Sequence, residues 1–246
     1  MKNINTRRSI RKYSSREVPK QLLDRLLAEA ERTQTMGNMQ LYSVVATRDE
    51  EIKRQLAPAH FNQPMVTQAP VVLTFCADTR RATLWAQQRA ANPGYGNMLS
   101  FVNAATDALL FCQTFCNLAE EEGLGCCFLG TTVYCPQMIV DTLHLPPLVA
   151  PIATITLGWP DENPPLSDRL PFEAIVHEDV FHDYTPQKID RFYAEKEALP
   201  ESKAAVEENG KQTLAQVYTD CRYTKKDNEA MSARFMEMLK HQHFLE

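Results

Sequence analysis

The spacing of apolar residues along the chain changes between helical and strand-like repeats. Apolar residues such as Leu22 and Leu26 recur at helical intervals with charged residues between them, which predicts an amphipathic helix over 18–33. Residues 69–76 form a continuous apolar run rich in β-branched side chains and predict a fully buried strand. The same reasoning predicts further strands at 41–47, 126–133 and 152–157 and further helices at 49–58 and 136–143.

Residues 98–122 predict one long helix whose apolar side chains cover most of its circumference. Gly123 and Gly125 follow directly and are expected to end it. A helix of this kind must be buried on several sides, either in the core of a domain or in a subunit interface. Because helices alternate with short and mostly apolar strands, the pattern predicts an α/β or α+β sandwich around a central sheet.

The composition changes after Pro160, where a loop rich in Pro and Asp begins. Residues 186–246 have no strong strand pattern and predict three polar helical segments, broken near Pro200 and near 218–224. We expect this stretch to be too polar to bury a core of its own. We therefore predict a main domain at 1–185 and a helical C-terminal extension at 186–246 that packs on the main domain or on a partner subunit.

Charge and cysteine content narrow the range of functions. The net charge is −5, whereas a nucleic-acid-binding protein usually carries a basic excess. The seven cysteines are odd in number, none has CxxC spacing and the N-terminus resembles no signal peptide, so we expect free thiols in a reducing cytoplasm. The apolar runs are shorter than a membrane span, and His177 and His182 are more typical of a polar surface than of a metal site.

Glycine is scarce in this chain, with eight residues, and none of them forms the GxGxxG or P-loop patterns that hold phosphates through backbone amides. A nucleotide-like ligand would therefore be held mostly by side chains. Suitable groups stand in Arg7–Tyr13, where arginine forks fit phosphate oxygens and serine adds a hydroxyl donor. Arg7, Ser9 and Arg11 alternate just before the first predicted helix, and they predict a site for an anion with several oxygens.

With these features in order, the chain resembles the FMN-dependent nitroreductase and flavin reductase family, in a branch similar to the oxygen-insensitive NADPH nitroreductases. The motifs that carry the resemblance are Arg7–Tyr13, Thr35–Tyr42, Asn62–Val66, and the segments 123–132 and 158–171. They extend over about residues 5–185, and their order and spacing make an accidental match improbable. The resemblance implies an α+β fold, a three-layer α/β/α sandwich with a central, mostly antiparallel sheet and a helical C-terminal extension.

The resemblance also implies roles for residues of these motifs. The residues implied to hold the FMN phosphate are Arg7, Ser9, Arg11 and Arg169, with Arg8 as a weaker candidate. The residues implied to lie at the flavin ring are Gln63 at its pyrimidine edge, Gly130 and Thr131 with Leu129 beside N5 and O4, and Met36, Gly37, Asn38 and Gln40 from the neighbouring subunit. Ser167 stands where many relatives have lysine, so one positive charge near the cofactor is missing.

The activity implied by the resemblance is an NAD(P)H-dependent FMN oxidoreductase that works as a homodimer with FMN at the subunit interface. Nicotinamide would pass a hydride to N5 of FMN, and a nitroaromatic, quinone or free flavin would then accept electrons in the same pocket, without a catalytic side chain. One alternative is a specialised FMN enzyme, such as a reductive dehalogenase or a flavin-consuming enzyme, with Trp85 and Tyr95 lining the ring. Another is a flavin-binding redox sensor without turnover. The sequence determines neither the acceptor nor the choice between NADPH and NADH.

Overall fold

The computed structural model describes residues 4–245, which form two compact units. Unit 1 contains residues 4–165 and 231–245, and unit 2 contains residues 166–230. Residues 1–3 and 246, which belong to the predicted domains, lie outside the described part of the chain. The predicted domains, 1–185 and 186–246, stay a prediction, and the compact units divide the chain at other residues.

Unit 1 is built around one antiparallel sheet of four strands. The strands are β1 (Tyr42–Thr47), β2 (Val71–Asp78), β3 (Gly125–Leu129) and β4 (Val149–Gly158). Their order in the sheet is β1-β2-β4-β3, with every neighbouring pair antiparallel. The two central strands, β2 and β4, are buried along their whole length, as their continuous apolar runs predict.

One predicted strand is shorter than expected. The sequence predicts a strand over 126–133, but β3 ends at Leu129 and the next residues form a 3-10 helix, Gly130–Val133, which we call the Gly130 turn. Leu129 is the last residue of β3 that pairs with β4. The Thr132 hydroxyl then donates a hydrogen bond to the Leu129 carbonyl at 2.8 Å and closes the turn.

Six α-helices within residues 4–165 of unit 1 surround the sheet. They are α1 (Lys20–Ala30), α2 (Glu50–Leu56), α3 (Pro64–Gln68), α4 (Arg80–Gln87), α5 (Met98–Glu121) and α6 (Pro136–Thr142). Two of them, α2 and α5, begin at side-chain caps. Asp49 accepts a hydrogen bond from the Ile52 amide, and Asn97 accepts one from the Ser100 amide, each at 2.9 Å. The long helix predicted at 98–122 is confirmed as α5.

The two faces of the sheet are covered by different helices, which gives three layers. On one face, Leu73 and Phe75 of β2 pack in a buried cluster with Phe115 of α5 and Leu26 of α1. On the other face, Val72 of β2 joins a second buried cluster with residues of α2, α3 and α6. Burial of each large apolar side chain contributes about 1.5–3 kcal/mol. The predicted three-layer α+β sandwich with an antiparallel sheet is confirmed.

Judged by length and composition alone, helix α5 is long and apolar enough to cross a membrane. The uninterrupted apolar runs of the sequence, which are shorter than a membrane span, did not predict this property. Nine of its residues are buried within the protein, however, and core packing explains the apolar residues on that side. Its other side carries exposed apolar residues, among them Leu99 at 71% exposure, Val102 at 48% and Leu109 at 42%.

Unit 2 is mostly helical and begins with an irregular segment. Its helices are α7 (Pro186–Ala198), α8 (Pro200–Glu208) and α9 (Leu214–Gln216), followed by a π-helix, Val217–Arg222. The predicted break at Pro200 is confirmed, because α7 ends at Ala198 and α8 begins at Pro200. The unit was expected to be too polar to bury a core, but it buries a few apolar side chains, such as Phe192 and Val217. The last helix, α10 (Lys225–His241), follows, and after it Phe244 of unit 1 packs against Phe101 with ring centroids 5.3 Å apart.

Candidate functional site

The basic segment Arg7–Tyr13, which we call the basic turn, is anchored to the sheet by two of its residues, Ile10 and Tyr13. The Ile10 amide donates to the Cys126 carbonyl of β3 at 3.0 Å. The Tyr13 hydroxyl donates to the Ile10 carbonyl at 2.6 Å and lies 2.7 Å from the Thr156 hydroxyl of β4. Gly125 makes this approach possible, because a Cβ atom there would lie 2.6 Å from Ile10 Cγ1. The motif therefore contains its own anchors, and the cations between them face outward.

Two of the arginines in the basic turn already have partners within unit 1. Arg7 Nε lies 3.4 Å from Glu120 Oε1, an ion-pair distance without hydrogen-bond geometry. Burial raises the pKa of Glu120, and the Arg7 charge opposes that rise. Arg8 Nε donates to the Pro164 carbonyl at 2.7 Å. A cavity of about 280 Å³ next to both arginines also has acidic side chains in its wall, so its charge is mixed.

Arg11 is the arginine of the basic turn whose guanidinium is most available to a ligand. Glu162 accepts hydrogen bonds from the Arg11 amide at 2.5 Å and from the Lys12 amide at 3.0 Å, and these bonds hold the pKa of Glu162 below its usual range. Among residues 4–245, the exposed Arg11 guanidinium forms no ion pair within 4 Å, although its charge also helps to lower the pKa of Glu162. It lies beside the thiol of Cys127 on β3, whose pKa burial raises and the Arg11 and Arg7 charges lower. Ser9 is half-buried between these cations.

The predicted ring contacts Gln63 and Thr131 are brought together by two 3-10 helices. The first, Ala57–His60, ends just before Gln63, whose amide donates to the His60 carbonyl at 3.1 Å. The second is the Gly130 turn, in which Thr131 Oγ1 lies 2.9 Å from His60 Nδ1. His60 is therefore within hydrogen-bonding distance of both Gln63 and Thr131, the two residues that are predicted to contact the ring.

The Gly130 turn leaves space and donors on its outer side. A Cβ atom on Gly130 would meet nothing within 4 Å. The first amides of a short helix have no partner within that helix, so they are available to an external acceptor. Leu129, by contrast, is buried at the end of β3, and its side chain packs in the core rather than toward this space.

His60 was not identified from the sequence. Its side chain has no exposed surface, its Nε2 atom accepts or donates no hydrogen bond among the described residues, and burial lowers its pKa to about 4. The imidazole is therefore neutral at physiological pH. The sequence carries no signal for it, because a single histidine gives no spacing from which a role can be predicted.

The basic turn and the Gly130 turn lie along the same edge strand. Arg11 stands beside Cys127, and Gly130 follows the end of β3, so the strand separates them by roughly 10 Å at its usual rise per residue. This arrangement offers positive charge at one end and backbone donors with open space at the other. A ligand with an anionic end and a flat polar end would match both.

The segment Met36–Gln40, which we call the 36–40 loop, lies apart from these groups. Among residues 4–245, no hydrogen bond, ion pair or ring contact joins it to the basic turn, to Gln63 or to the Gly130 turn. Its first amide, that of Met36, and the amide of Leu41, which directly follows the loop, donate instead to Asp107 of α5. Three of its residues, Gly37, Asn38 and Gln40, have positive φ angles of 56°, 55° and 53°.

Arg169 belongs to unit 2, where its Nη1 donates to the Asp168 carbonyl at 2.7 Å. Asp168 itself accepts from Lys196 Nζ at 2.8 Å. Arg169 also lines a cavity of about 800 Å³ within unit 2, together with Tyr193 and Tyr218. Its predicted contact with a phosphate stays a prediction.

Comparison with known proteins agrees with the geometry of unit 1. The sequence pattern described as the nitroreductase family matches residues 4–159. An FMN reductase (NAD(P)H) of Bacillus subtilis is 30% identical over 186 residues, covering 74% of this chain and 74% of that protein. An oxygen-insensitive NADPH nitroreductase of Salmonella typhimurium is 28% identical over 185 residues, covering 75% of each. A crystal structure from Bacteroides fragilis, assigned as an oxidoreductase, is 59% identical, covers 100% of both chains and superposes with a TM-score of 0.98.

Proposed function

The chain belongs to the nitroreductase family and is an NAD(P)H-dependent FMN oxidoreductase, and from this premise we propose where the cofactor is held. The basic turn holds the phosphate of FMN, and the Gly130 turn with Gln63 faces its ring. The observation that carries this assignment is the shared edge strand, which places the exposed positive charge of Arg11 about 10 Å from open space over Gly130.

The residues of unit 1 fit FMN at both ends. Arg11 offers an exposed guanidinium that forms no ion pair within 4 Å among residues 4–245, and Ser9 adds a hydroxyl donor two residues away. Gly130 leaves room where any larger residue would place a side chain. FMN, when bound, accepts a hydride from NAD(P)H and passes electrons to a small acceptor, for which we propose nitroaromatics, quinones or free flavins.

The side chains of the ring end bind and orient rather than react. Gln63 can donate and accept through its amide, which suits the alternating donors and acceptors of a pyrimidine edge. The Gly130 turn offers amides to the edge of the ring that gains electron density on reduction. Neutral His60 holds Thr131 and therefore fixes the turn that offers these amides.

A homodimer completes the proposed site. The exposed residues Leu99, Val102 and Leu109 lie on one side of α5 at helical spacing, and an apolar stripe of this kind on the surface is typical of a protein interface. Unit 2 exposes a second apolar set, with Phe172 at 76% and Phe181 at 68% exposure. We assign both to contacts with a second copy of this chain, whose 36–40 loop then reaches the flavin.

We also place the enzyme in the cytoplasm, because all seven cysteines are free thiols.

The test is whether the purified dimer carries FMN and turns it over. We expect a yellow protein that NADPH or NADH bleaches without oxygen and that a quinone or nitroaromatic restores to yellow. Turnover in both half-reactions also separates an oxidoreductase from a flavin-binding sensor. Protein that stays colourless in excess FMN would contradict the assignment.

A further inference from the structure

Asp107 is a carboxylate with no exposed surface in the middle of α5. Its Oδ1 atom accepts a hydrogen bond from the Met36 amide at 2.8 Å, and its Oδ2 atom accepts one from the Leu41 amide at 3.1 Å. Met36 is the first residue of the 36–40 loop, and Leu41 directly follows its last residue. A single side chain, distant in sequence, therefore holds the loop at both ends.

The 36–40 loop needs an anchor of this kind because its backbone is in an unfavourable conformation. Gly37 adopts a left-handed φ at no steric cost, and asparagine tolerates it, but Gln40 at 53° does not favour it. The internal bonds are few, with the Met39 amide donating to the Met36 carbonyl at 3.0 Å. Such strained segments persist where the surrounding structure holds them.

The charge of Asp107 is stabilised by backbone amides rather than by a cation. Its hydrogen-bond partners among the described residues are the amides of Met36 and Leu41, and no ion pair of residues 4–245 includes it. A buried carboxylate is costly unless it is well hydrogen-bonded, so the loop amides and Asp107 depend on each other. Arg81 supports the loop from outside by donating to the Gln40 carbonyl, but its guanidinium is exposed there.

We propose that Asp107 is a positioning residue that presents the 36–40 loop to the flavin held by the partner subunit. Helix α5 also carries the apolar stripe that we assign to the dimer contact. An anchor on that helix fixes the loop relative to the partner's site and not only relative to its own subunit. This inference rests on the proposed function.

The first experiment measures the loop and the flavin separately in the full-length dimer. Asp107→Asn keeps one acceptor oxygen and should lose protection from hydrogen exchange at the Met36 or the Leu41 amide, while Asp107→Leu should lose both. FMN should dissociate about tenfold more readily from the Asn variant, since one charge-assisted bond is lost, and more readily still from the Leu variant. Cys116→Ala, a buried change on the same helix, is the control for general loss of packing.

Wild-type exchange and wild-type FMN affinity in both Asp107 variants would overturn the inference. If the wild type takes up no FMN, the proposed function fails, while the amide exchange still reports on the anchor.

The second experiment assigns the loop to a subunit. We expect a mixed dimer, with Arg11→Ala in one chain and Asp107→Asn in the other, to keep one intact site, because the intact Arg11 and the intact loop then meet. Tight binding of one FMN per mixed dimer supports the inference. If the mixed dimer binds no FMN tightly, while each homodimeric variant binds FMN as expected above, the loop serves its own subunit. That result would overturn the inference.

Discussion

The basic turn and the 36–40 loop both carry residues predicted to contact FMN, but the protein holds them in different ways. The basic turn contains its own anchors, Ile10 and Tyr13, which bond to the sheet within the same seven-residue motif. The 36–40 loop is anchored by Asp107, which lies on another element far along the chain. The anchoring residues of the first therefore belong to its own motif, although they need the close approach at Gly125 of β3, whereas the second is held by a side chain outside its motif.

The largest effect is expected from a substitution that disturbs the anchoring of the basic turn. Gly125→Ala places a Cβ atom within 2.6–2.9 Å of three Ile10 atoms, and relief of these clashes should cost about 3 kcal/mol of unfolding free energy. Urea unfolding measures it, with Gly94→Ala as the control because a Cβ atom there meets nothing within 4 Å. Exchange of the Met36 amide should not change under native conditions. Equal stability of the two variants would show that Ile10 does not need this approach.

A smaller effect is expected when a predicted phosphate-binding arginine is removed and the anchors of the basic turn, Ile10 and Tyr13, are left unchanged. Arg11→Ala should weaken FMN binding by roughly 1.5–3 kcal/mol, the scale of a charge-assisted hydrogen bond, and Arg169→Ala should do the same if its predicted role is correct. Titration of the apoprotein with FMN measures the affinity. Lys20→Ala removes an exposed charge that pairs with Asp24 instead and should leave the affinity unchanged. Unchanged FMN affinity in Arg11→Ala would show that the phosphate does not bind at Arg11.

The smallest effect concerns the Gly130 turn, which resembles the 36–40 loop in depending on one buried side chain. The pKa of His60 is about 4 in the folded protein and near 6.5 when unfolded, so the unfolded chain binds the proton more readily between these values. Stability is therefore lost as the pH falls from 6.5 toward 4, by about 1–2 kcal/mol at pH 5.

Denaturant unfolding at pH 7 and pH 5 measures this loss. His60→Asn keeps a polar atom for Thr131 but does not titrate, so its stability should fall less between the two pH values. The exposed His241→Asn is the matched control and should keep the wild-type dependence. A dependence that is the same in His60→Asn and in the wild type would mean that His60 is not held neutral by the fold.

The fold was predictable where one local pattern decides the structure. The strands β2 and β4 follow from continuous apolar runs, and α5 follows from its length and its apolar circumference. Residues 130–133 were predicted as strand because their side chains continue the apolar and β-branched run. What ends β3 is the loss of its pairing with β4 after Leu129, and pairing is not visible in a local pattern.

The candidate site divides in the same way. Arg11 and Gly130 were identified because their motifs are local, although the resemblance and not the spacing supplied their roles. The supporting residues His60 and Asp107 were missed. Asp107 had a weak signal, as an isolated acid in the middle of an apolar helix, whereas the partners that give it meaning lie 66 and 71 residues away.

The most direct test of the account is a crystal structure of the dimer with FMN. We predict that the phosphate lies within hydrogen-bonding distance of Arg11 and Ser9, and that the ring lies over Gly130 with the partner's 36–40 loop against it. A flavin whose phosphate lies away from the basic turn, or whose ring leaves the space over Gly130 empty, would contradict the account.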